Sequence, residues 1–267
     1  MLDFRYSRPT GLEEALALMG TEPDAQPLAG GQTLLPVLRA RLAAPSRLVD
    51  LGHIPELQGI SQTGNTLTIG AGETHASVAG SAVVKAAIPA LAALAGGIGD
   101  PQVRNRGTIG GSTANNDPAA CYPSALCALG ARMVTDRRQI DAPDFFTGLF
   151  STALEPGELL IRIELPACAH ARYVKLENAA SRFALIGLFH ARTDQGHRLG
   201  VTGSGTGVFR WTEAESWLDG GGSVEGLMDV SLDPDRFTGD LHGSAAYRQH
   251  LVRVAAKRAL AHGPVAA

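Results

Sequence analysis

Two glycine pairs, Gly30-Gly31 and Gly110-Gly111, constrain this chain more than any other feature. The first lies in Leu28-Ala29-Gly30-Gly31-Gln32-Thr33-Leu34-Leu35, the second in Arg106-Gly107-Thr108-Ile109-Gly110-Gly111-Ser112-Thr113. Each sets backbone without side chains beside a hydroxyl or amide residue. Such backbone exposes N–H groups that can cradle an anion without steric obstruction. One pair alone reads as a tight turn. Two pairs of the same chemistry point to a ligand with two phosphates, and so to a dinucleotide.

The remaining sequence narrows the class. At 267 residues the chain can build more than one subdomain. Its net charge is −3 with no sustained basic tract, so nucleic acid is not expected as a partner. The N-terminus lacks the basic and apolar regions of a signal peptide, and Ala86 to Ile98 is too short to span a bilayer. A cytoplasmic protein without an integral membrane segment is the expectation. Three cysteines without a C-x-x-C pair supply no ligand set for an iron–sulfur cluster or structural zinc.

Periodicity and punctuation set the expected elements. Thr10 and Glu13 match a capping box, opening a helix over 11–19. A strand leads from Gln26 into the first glycine loop; a helix follows over 34–42, stopped by Pro45, and a strand over 47–51. Further strands are expected at 66–71 and 159–165, and helices at 75–81, 83–95 and 123–129. Beyond residue 170, strands at 173–177, 183–191 and 198–202 suggest a three-stranded antiparallel sheet. Thr212 and Glu215 form a second capping-box match, and Gly220-Gly221-Gly222-Ser223 reads as a flexible linker. A last helix over 244–261 presents Tyr247, Leu251, Val254 and Ala255 on one face, with Arg248, Arg253, Lys257 and Arg258 solvated.

Several chemistries are absent. No G-x-x-x-x-G-K-[ST] supports a P-loop, and no G-x-G-x-x-G opens a helix after the first strand. Gly203-Ser204-Gly205-Thr206-Gly207 reads as a turn. The eight histidines share no H-x-x-x-H spacing, and no G-x-S-x-G elbow occurs. Cys127, inside an apolar helix, reads as packing. His75 either borders a ligand or caps the following helix. Asp117, before Pro118, either ends a turn or accepts hydrogen bonds from a ribose or flavin edge. No catalytic acid or base and no metal site of the chain's own is indicated, which suits a cofactor carrier.

Together these motifs resemble the medium, FAD-binding subunit of the molybdenum hydroxylases, the family of xanthine dehydrogenase and aerobic carbon monoxide dehydrogenase. Ala29 to Pro36 is similar to the family's AGGQSLLP, Ile69 to His75 to its IGA-x-TTH, and Ile98 to Ser112 to its IGDxQVRNxGTIGGS. Asn115 to Ala120, Phe145-Phe146-Thr147-Gly148 and Glu158-Leu159-Leu160 follow in the family's order, and Gly207-Val208-Phe209-Arg210 resembles the carbon monoxide dehydrogenase branch. The resemblance covers nearly the whole chain.

That resemblance implies an α+β chain. It would have two N-terminal α/β subdomains of the PCMH/VAO-like FAD-binding type, at 1–55 and 56–168. A C-terminal α+β domain, at 169–267, would carry the three-stranded sheet and helices. Ala29, Gly30, Gly31, Gln32, Thr33 and Leu34, with Thr108, Gly110, Gly111 and Ser112, would hold the pyrophosphate by backbone N–H groups and hydroxyls. Thr74, His75, Ile98, Asn115 and Asp117 would border the cofactor, and Lys175 matches a family lysine. Phe183 takes either the place of an aromatic near the isoalloxazine or that of a core residue in a sheet. The implied partners are an iron–sulfur small subunit and a molybdenum-cofactor large subunit, in a dimer of heterotrimers. Molybdopterin and the 2Fe–2S clusters would sit only on those partners. Two residues depart from the pattern: Cys121 replaces an acid, and Glu73 replaces a threonine, adding negative charge near an anionic cofactor. A stand-alone VAO-type flavin oxidoreductase and a flavin-free scaffold are the competing readings.

Overall fold

Three short strands come first: β1 (Arg5–Ser7), β2 (Gln26–Leu28) and β3 (Arg47–Asp50), parallel, in the order β1-β3-β2. Parallel pairing requires crossovers, made by α1 (Leu12–Thr21) and by a segment containing α2 (Leu34–Arg39). The computed structural model describes residues 1–261, so His262 lies outside the described residues. All three strands end on one edge, where ligands of such sheets bind. The chain leaves β2 at that edge and enters the first glycine loop.

Two details of this part differ from the sequence reading. Gly11, extended at φ −148°, takes the N-cap of α1. The frame moves by one residue, and Glu14 rather than Glu13 reaches back, accepting the Thr10 N–H at 3.0 Å. Helix α2 stops at Arg39, well before Pro45, because Arg41 turns into the left-handed region at φ 58°.

The middle of the chain starts with the hairpin β4 (Ile60–Thr63)–β5 (Thr66–Gly70). Helices α3 (His75–Gly80), α4 (Ala82–Ala87), α5 (Pro89–Gly96), α6 (Pro101–Arg104), α7 (Ile109–Asn115) and α8 (Tyr122–Leu129) follow. Next come β6 (Arg132–Thr135), β7 (Gln139–Asp141), α9 (Ala142–Phe145), a small hairpin of β8 (Phe146–Gly148) and β9 (Ser151–Thr152), and β10 (Leu160–Pro166). The main sheet runs β4-β5-β10-β6-β7 and is antiparallel throughout. Leu67, Ile69, Met133, Ile163 and Leu165 face a core shared with α3, α4, α5 and α8. The helix expected over 83–95 is two helices, because the residue before a proline is driven out of the helical region. Ile88, at φ −144°, makes that break before Pro89.

All eight residues of α8 are buried. A helix that is apolar all round must be covered on every side, and α8 lies between the middle sheet and the C-terminal one. That last sheet runs β11 (Ala171–Glu177), β12 (Ala184–Thr193), β13 (Gly196–Thr202) and β14 (Phe209–Arg210). It has four strands where three were expected: β14 pairs through only Phe209 and Arg210, too short a run for alternation to reveal. Strand β12 alternates faces, as period-2 geometry requires. Phe189 and Ala191 join the core around α8. Ile186 and Leu188 pack with α10 (Thr212–Asp219) and α11 (Ala245–Ala261) on the other face.

Three further expectations are corrected here. Trp211, not Thr212, is the N-cap of α10, and Glu215 instead accepts the Leu199 N–H at 2.8 Å and pairs with Arg210. The glycines at 220–222 close that helix rather than link domains. The Gly222 N–H donates to the Trp217 carbonyl at 2.9 Å, and the Trp217 ring packs against Gly222, its Nε1 donating to the Ser223 carbonyl. Helix α11 buries Arg248, Val252, Ala255, Ala256 and Ala259, while Tyr247 is exposed. Among the described residues, no helix is long and apolar enough to cross a membrane.

Candidate functional site: a cleft at the glycine loops

A cleft of about 1040 Å3 opens where the parallel sheet, the α6–α7 segment and the C-terminal sheet meet. It lies at the upper end of the ~300–1,000 Å3 usual for small-molecule sites. All seventeen residues singled out from the sequence line it: Ala29, Gly30, Gly31, Gln32, Thr33, Leu34, Thr74, His75, Ile98, Thr108, Gly110, Gly111, Ser112, Asn115, Asp117, Lys175 and Phe183.

The two glycine loops do different work. In the first, the amides of Gly30, Gly31, Gln32 and Thr33 donate to no acceptor among the described residues, and Gly31 sits at φ +71°. The Gln32 side chain folds back onto the Gly30 carbonyl at 3.1 Å, fixing the loop. A run of free amides at the edge of parallel strands is a ready anion cradle. The second loop is not open in this way. Its Ile109 and Gly110 amides bond the carbonyls of Glu73 and Ala71, both at 2.9 Å, and its Gly111 amide bonds the Thr108 hydroxyl at 3.0 Å. The Ser112 amide closes the first helical turn onto the Thr108 carbonyl. The expectation that both loops offer backbone N–H groups is therefore corrected for residues 109–112, while the Thr108 N–H donates to no acceptor among the described residues. The second loop presents hydroxyl and amide side chains, of which Ser112 and Asn115 make no side-chain hydrogen bond to another described residue.

Close approach explains the glycines of that second loop. A Cβ on Gly110 would lie 2.5 Å from the Ala71 carbonyl oxygen, and one on Gly107 2.6 Å from the His75 ring. On the facing loop, a Cβ on Gly30 would lie 2.1 Å from the Arg106 carbonyl oxygen. The two loops are pressed together, and this places the free amides against the cleft.

Around them, Thr74 rather than His75 caps α3, its hydroxyl accepting the Ser77 N–H at 3.1 Å. His75 is buried, with Nδ1 3.2 Å from the Tyr122 hydroxyl. Burial, reinforced by the Arg104 charge, holds its pKa at about 4, so the imidazole is neutral at physiological pH. Arg104 donates to the Ile98 and Gly99 carbonyls at 3.0 Å, tying down the turn that carries Ile98. Asp117 makes an Asx turn, one oxygen accepting the Ala119 N–H at 2.8 Å.

The C-terminal sheet supplies the cover. Lys175 Nζ donates to the Gly97 carbonyl at 3.0 Å and pairs with Glu177 at 3.3 Å. Phe183 is 56% exposed on the cleft, so it is not a core residue. Arg182 beside it is held at φ 61°.

Glu73 is absent from the cleft lining. Its carboxylate accepts the Gly59 N–H at 2.6 Å and the Ser77 hydroxyl, so its charge is spent away from the ligand space. Cys121 does line the cleft, and burial pushes its thiol up against the pull of Lys175 and the Tyr173 hydroxyl. It is a neutral group where an acid was expected. Among the lining residues that sequence reasoning missed are Arg106, Phe150, Leu154 and Arg182. Arg106 stood inside a quoted motif. The others come from loops brought in by long-range contacts, for which no local signal exists. No group of three or more His, Cys, Asp or Glu among the described residues could hold a metal.

The free amides, the flanking cations Arg106, Arg182 and Lys175, and the apolar walls of Leu57, Ile98, Leu159 and Leu160 fit a long ligand with a central diphosphate and aromatic ends. Comparison with known proteins agrees. Residues 2–168 match the model of the FAD binding domain in molybdopterin dehydrogenase. The chain is 35% identical to the carbon monoxide dehydrogenase medium chain of Hydrogenophaga pseudoflava, over 96% of each. It is 33% identical to the nicotine 6-hydroxylase medium subunit of Paenarthrobacter nicotinovorans, over 96% of this chain and 95% of that one. A solved structure of carbon monoxide dehydrogenase from Hydrogenophaga pseudoflava superposes with a TM-score of 0.89 at 34% identity, over 97% of this chain and 96% of that one. The chain belongs to the family of FAD-binding medium subunits of the molybdenum hydroxylases, and its cofactor is FAD.

Proposed function

We propose that this chain is the electron-transfer subunit of a cytoplasmic molybdenum hydroxylase. It would take electrons from the iron–sulfur clusters of a small subunit and deliver them to a terminal acceptor. A large subunit would hold the molybdenum cofactor and oxidise the substrate, in a dimer of heterotrimers. Flavin suits such a relay because it accepts electrons singly and releases them in pairs. The observation that carries the reading is the row of free amides from Gly30 to Thr33, opening on the cleft that gathers every expected site residue.

In this reading the protein holds, orients and shields. The amides of Gly30, Gly31, Gln32 and Thr33 bind the pyrophosphate, helped by the Ser112 hydroxyl. The free oxygen of Asp117 and the side chain of Asn115 orient hydroxyls of the ligand. Lys175, fixed by Gly97, keeps a positive charge on the cleft wall, and Ile98, Leu159 and Leu160 exclude water. The segments 1–55 and 56–168 form the two walls of the cradle, and 169–267 covers one side. A flavin-free scaffold loses one of its two supports, since Glu73 points away from the cleft.

The test is the visible absorption spectrum of the purified chain, with released cofactor identified by chromatography, and co-purification with the two partner subunits. Stoichiometric FAD together with a three-subunit complex is the expected result. A chain that stays colourless after addition of FAD and co-expression with the partners would overturn the reading.

A further inference from the structure

One residue on the cleft is held in a conformation that its own side chain opposes. Phe150, at the tip of the β8–β9 hairpin, sits at φ 50°. A bulky side chain in the left-handed region is a genuine outlier, sustained only where surrounding structure over-determines it. The source of that constraint is Asn116, itself left-handed at φ 44°. Its side-chain amide donates to the Gly148 and Ser151 carbonyls, both at 2.7 Å, and its carbonyl accepts the Phe150 N–H at 3.1 Å. Three hydrogen bonds from one residue thus clamp the hairpin tip from both sides.

The strain is not offset by packing within the chain. Phe150 is 61% exposed, and it lines the cleft. Glycine would hold the same backbone at no steric cost, so what phenylalanine adds is its ring. Asn116 directly precedes Asp117, so the clamp and the cleft wall are one continuous segment.

We propose that Phe150 is a stacking residue for the bound cofactor, its ring set against a planar heteroaromatic ring of the dinucleotide. This rests on the reading of the cleft as the FAD site. Aromatic faces accept flat heterocycles through dispersion and quadrupole contacts, without needing a specific hydrogen-bond pattern. Asn116 is then a positioning residue, acting through the hairpin tip. Phe183, exposed on the C-terminal wall, is a second aromatic face lining the same space.

The experiment titrates the full-length apo chain with FAD, following flavin absorbance and fluorescence, for the wild type, Phe150→Gly, Phe150→Trp and Asn116→Ala. Phe150→Gly relieves the backbone, so its thermal midpoint in the apo form is not lowered, yet its FAD affinity falls on the order of tenfold. Phe150→Trp keeps the affinity. Asn116→Ala loses affinity although the ring is still present. Repeating the titration with ADP and with FMN identifies the stacked ring: loss for ADP marks the adenine, loss for FMN the isoalloxazine. A Phe150→Gly chain with wild-type FAD affinity would overturn the proposal. If that chain also fails to co-purify with the small subunit, the tip is a docking surface instead. A wild-type chain that binds no FAD would overturn the reading of the cleft itself, a result distinguishable from the failure of Phe150 alone.

Discussion

Neighbouring glycines in this chain answer to different constraints, and the difference is testable. Gly30 is required by the facing backbone: its Cβ would stand 2.1 Å from the Arg106 carbonyl oxygen, an atom with no freedom to move aside. Gly111 meets a softer neighbour, the Thr108 hydroxyl at 2.9 Å, with the Ala29 methyl at 3.4 Å. Overpacking against rigid atoms costs about 1–3 kcal/mol and displaces backbone. Gly30→Ala is therefore expected to lower the urea midpoint and to purify with little FAD, because the displaced loop carries the free amides. Gly111→Ala is expected to fold and keep its flavin. Gly111→Asp adds a negative charge to the cleft wall, and is expected to fold and lose the flavin. The flavin-to-protein ratio and the urea midpoint of each variant decide the matter; full flavin in Gly30→Ala would contradict the close-packing account.

At the scale of elements, α11 shows where the sequence stops being readable. Its spacing alone suggests a solvated Arg248 and a buried Tyr247, and the fold reverses both. The reason is remote in sequence. Arg248 donates to the Leu185 carbonyl at 2.8 Å, the Gly203 carbonyl at 2.7 Å and the Asp240 carboxylate at 2.6 Å. One guanidinium ties the helix to the ends of β12 and β13, and its planar fork is what a lysine lacks. Arg248→Met would strand the Leu185 and Gly203 carbonyls and return the half-exposed Asp240 carboxylate to solvent, and is expected to cost about 2–4 kcal/mol. Arg258→Ala, on the exposed side, is expected to stay within about 0.5 kcal/mol. Urea unfolding of both variants checks the contrast; equal effects would refute it. The same logic divides the cleft. The glycine loops and the Thr74 cap are local patterns, legible as runs of a few residues. The Phe150 ring reaches the cleft only because Asn116, more than thirty residues earlier, clamps its hairpin. Capping boxes were legible as helix starts but off by one residue, since Gly11 and Trp211 took the cap positions through backbone geometry rather than side-chain chemistry.

Over the whole molecule, the three larger sheets are covered by helices, with α8 buried between two of them, and burial on these sheets and helices holds two histidines in neutral form. His75 is held at about 4 by burial and by Arg104. His190, on β12, is held at about 4 by burial, by the stacked His197 at 2.8 Å and by Arg192. An unfolded histidine titrates near 6.5. Above that pH both states are neutral and the histidines leave stability independent of pH. Below it the unfolded chain binds protons that the folded chain refuses, so stability falls with pH until the folded groups protonate near 4. Each shift is worth about 3 kcal/mol over that window. Glu158 works in a lower window. Burial pushes its pKa up, but Arg138, the Glu155 amide and the Thr135 hydroxyl prevail and hold it at about 2, below the 4.5 of a free glutamate. Its contribution is complete above 4.5 and is lost only between there and 2. The molecule should therefore begin to lose stability below pH 6.5, before any carboxylate of this kind is protonated. Urea midpoints measured from pH 7.5 to 4.5 are expected to fall steadily, and in the triple variant His75→Gln, His190→Gln, His197→Gln to fall much less over the same range, since His197 is also held below its ordinary value by burial and Arg192. A wild-type midpoint that stays flat down to pH 5 would mean that the two imidazoles are not held neutral by the fold.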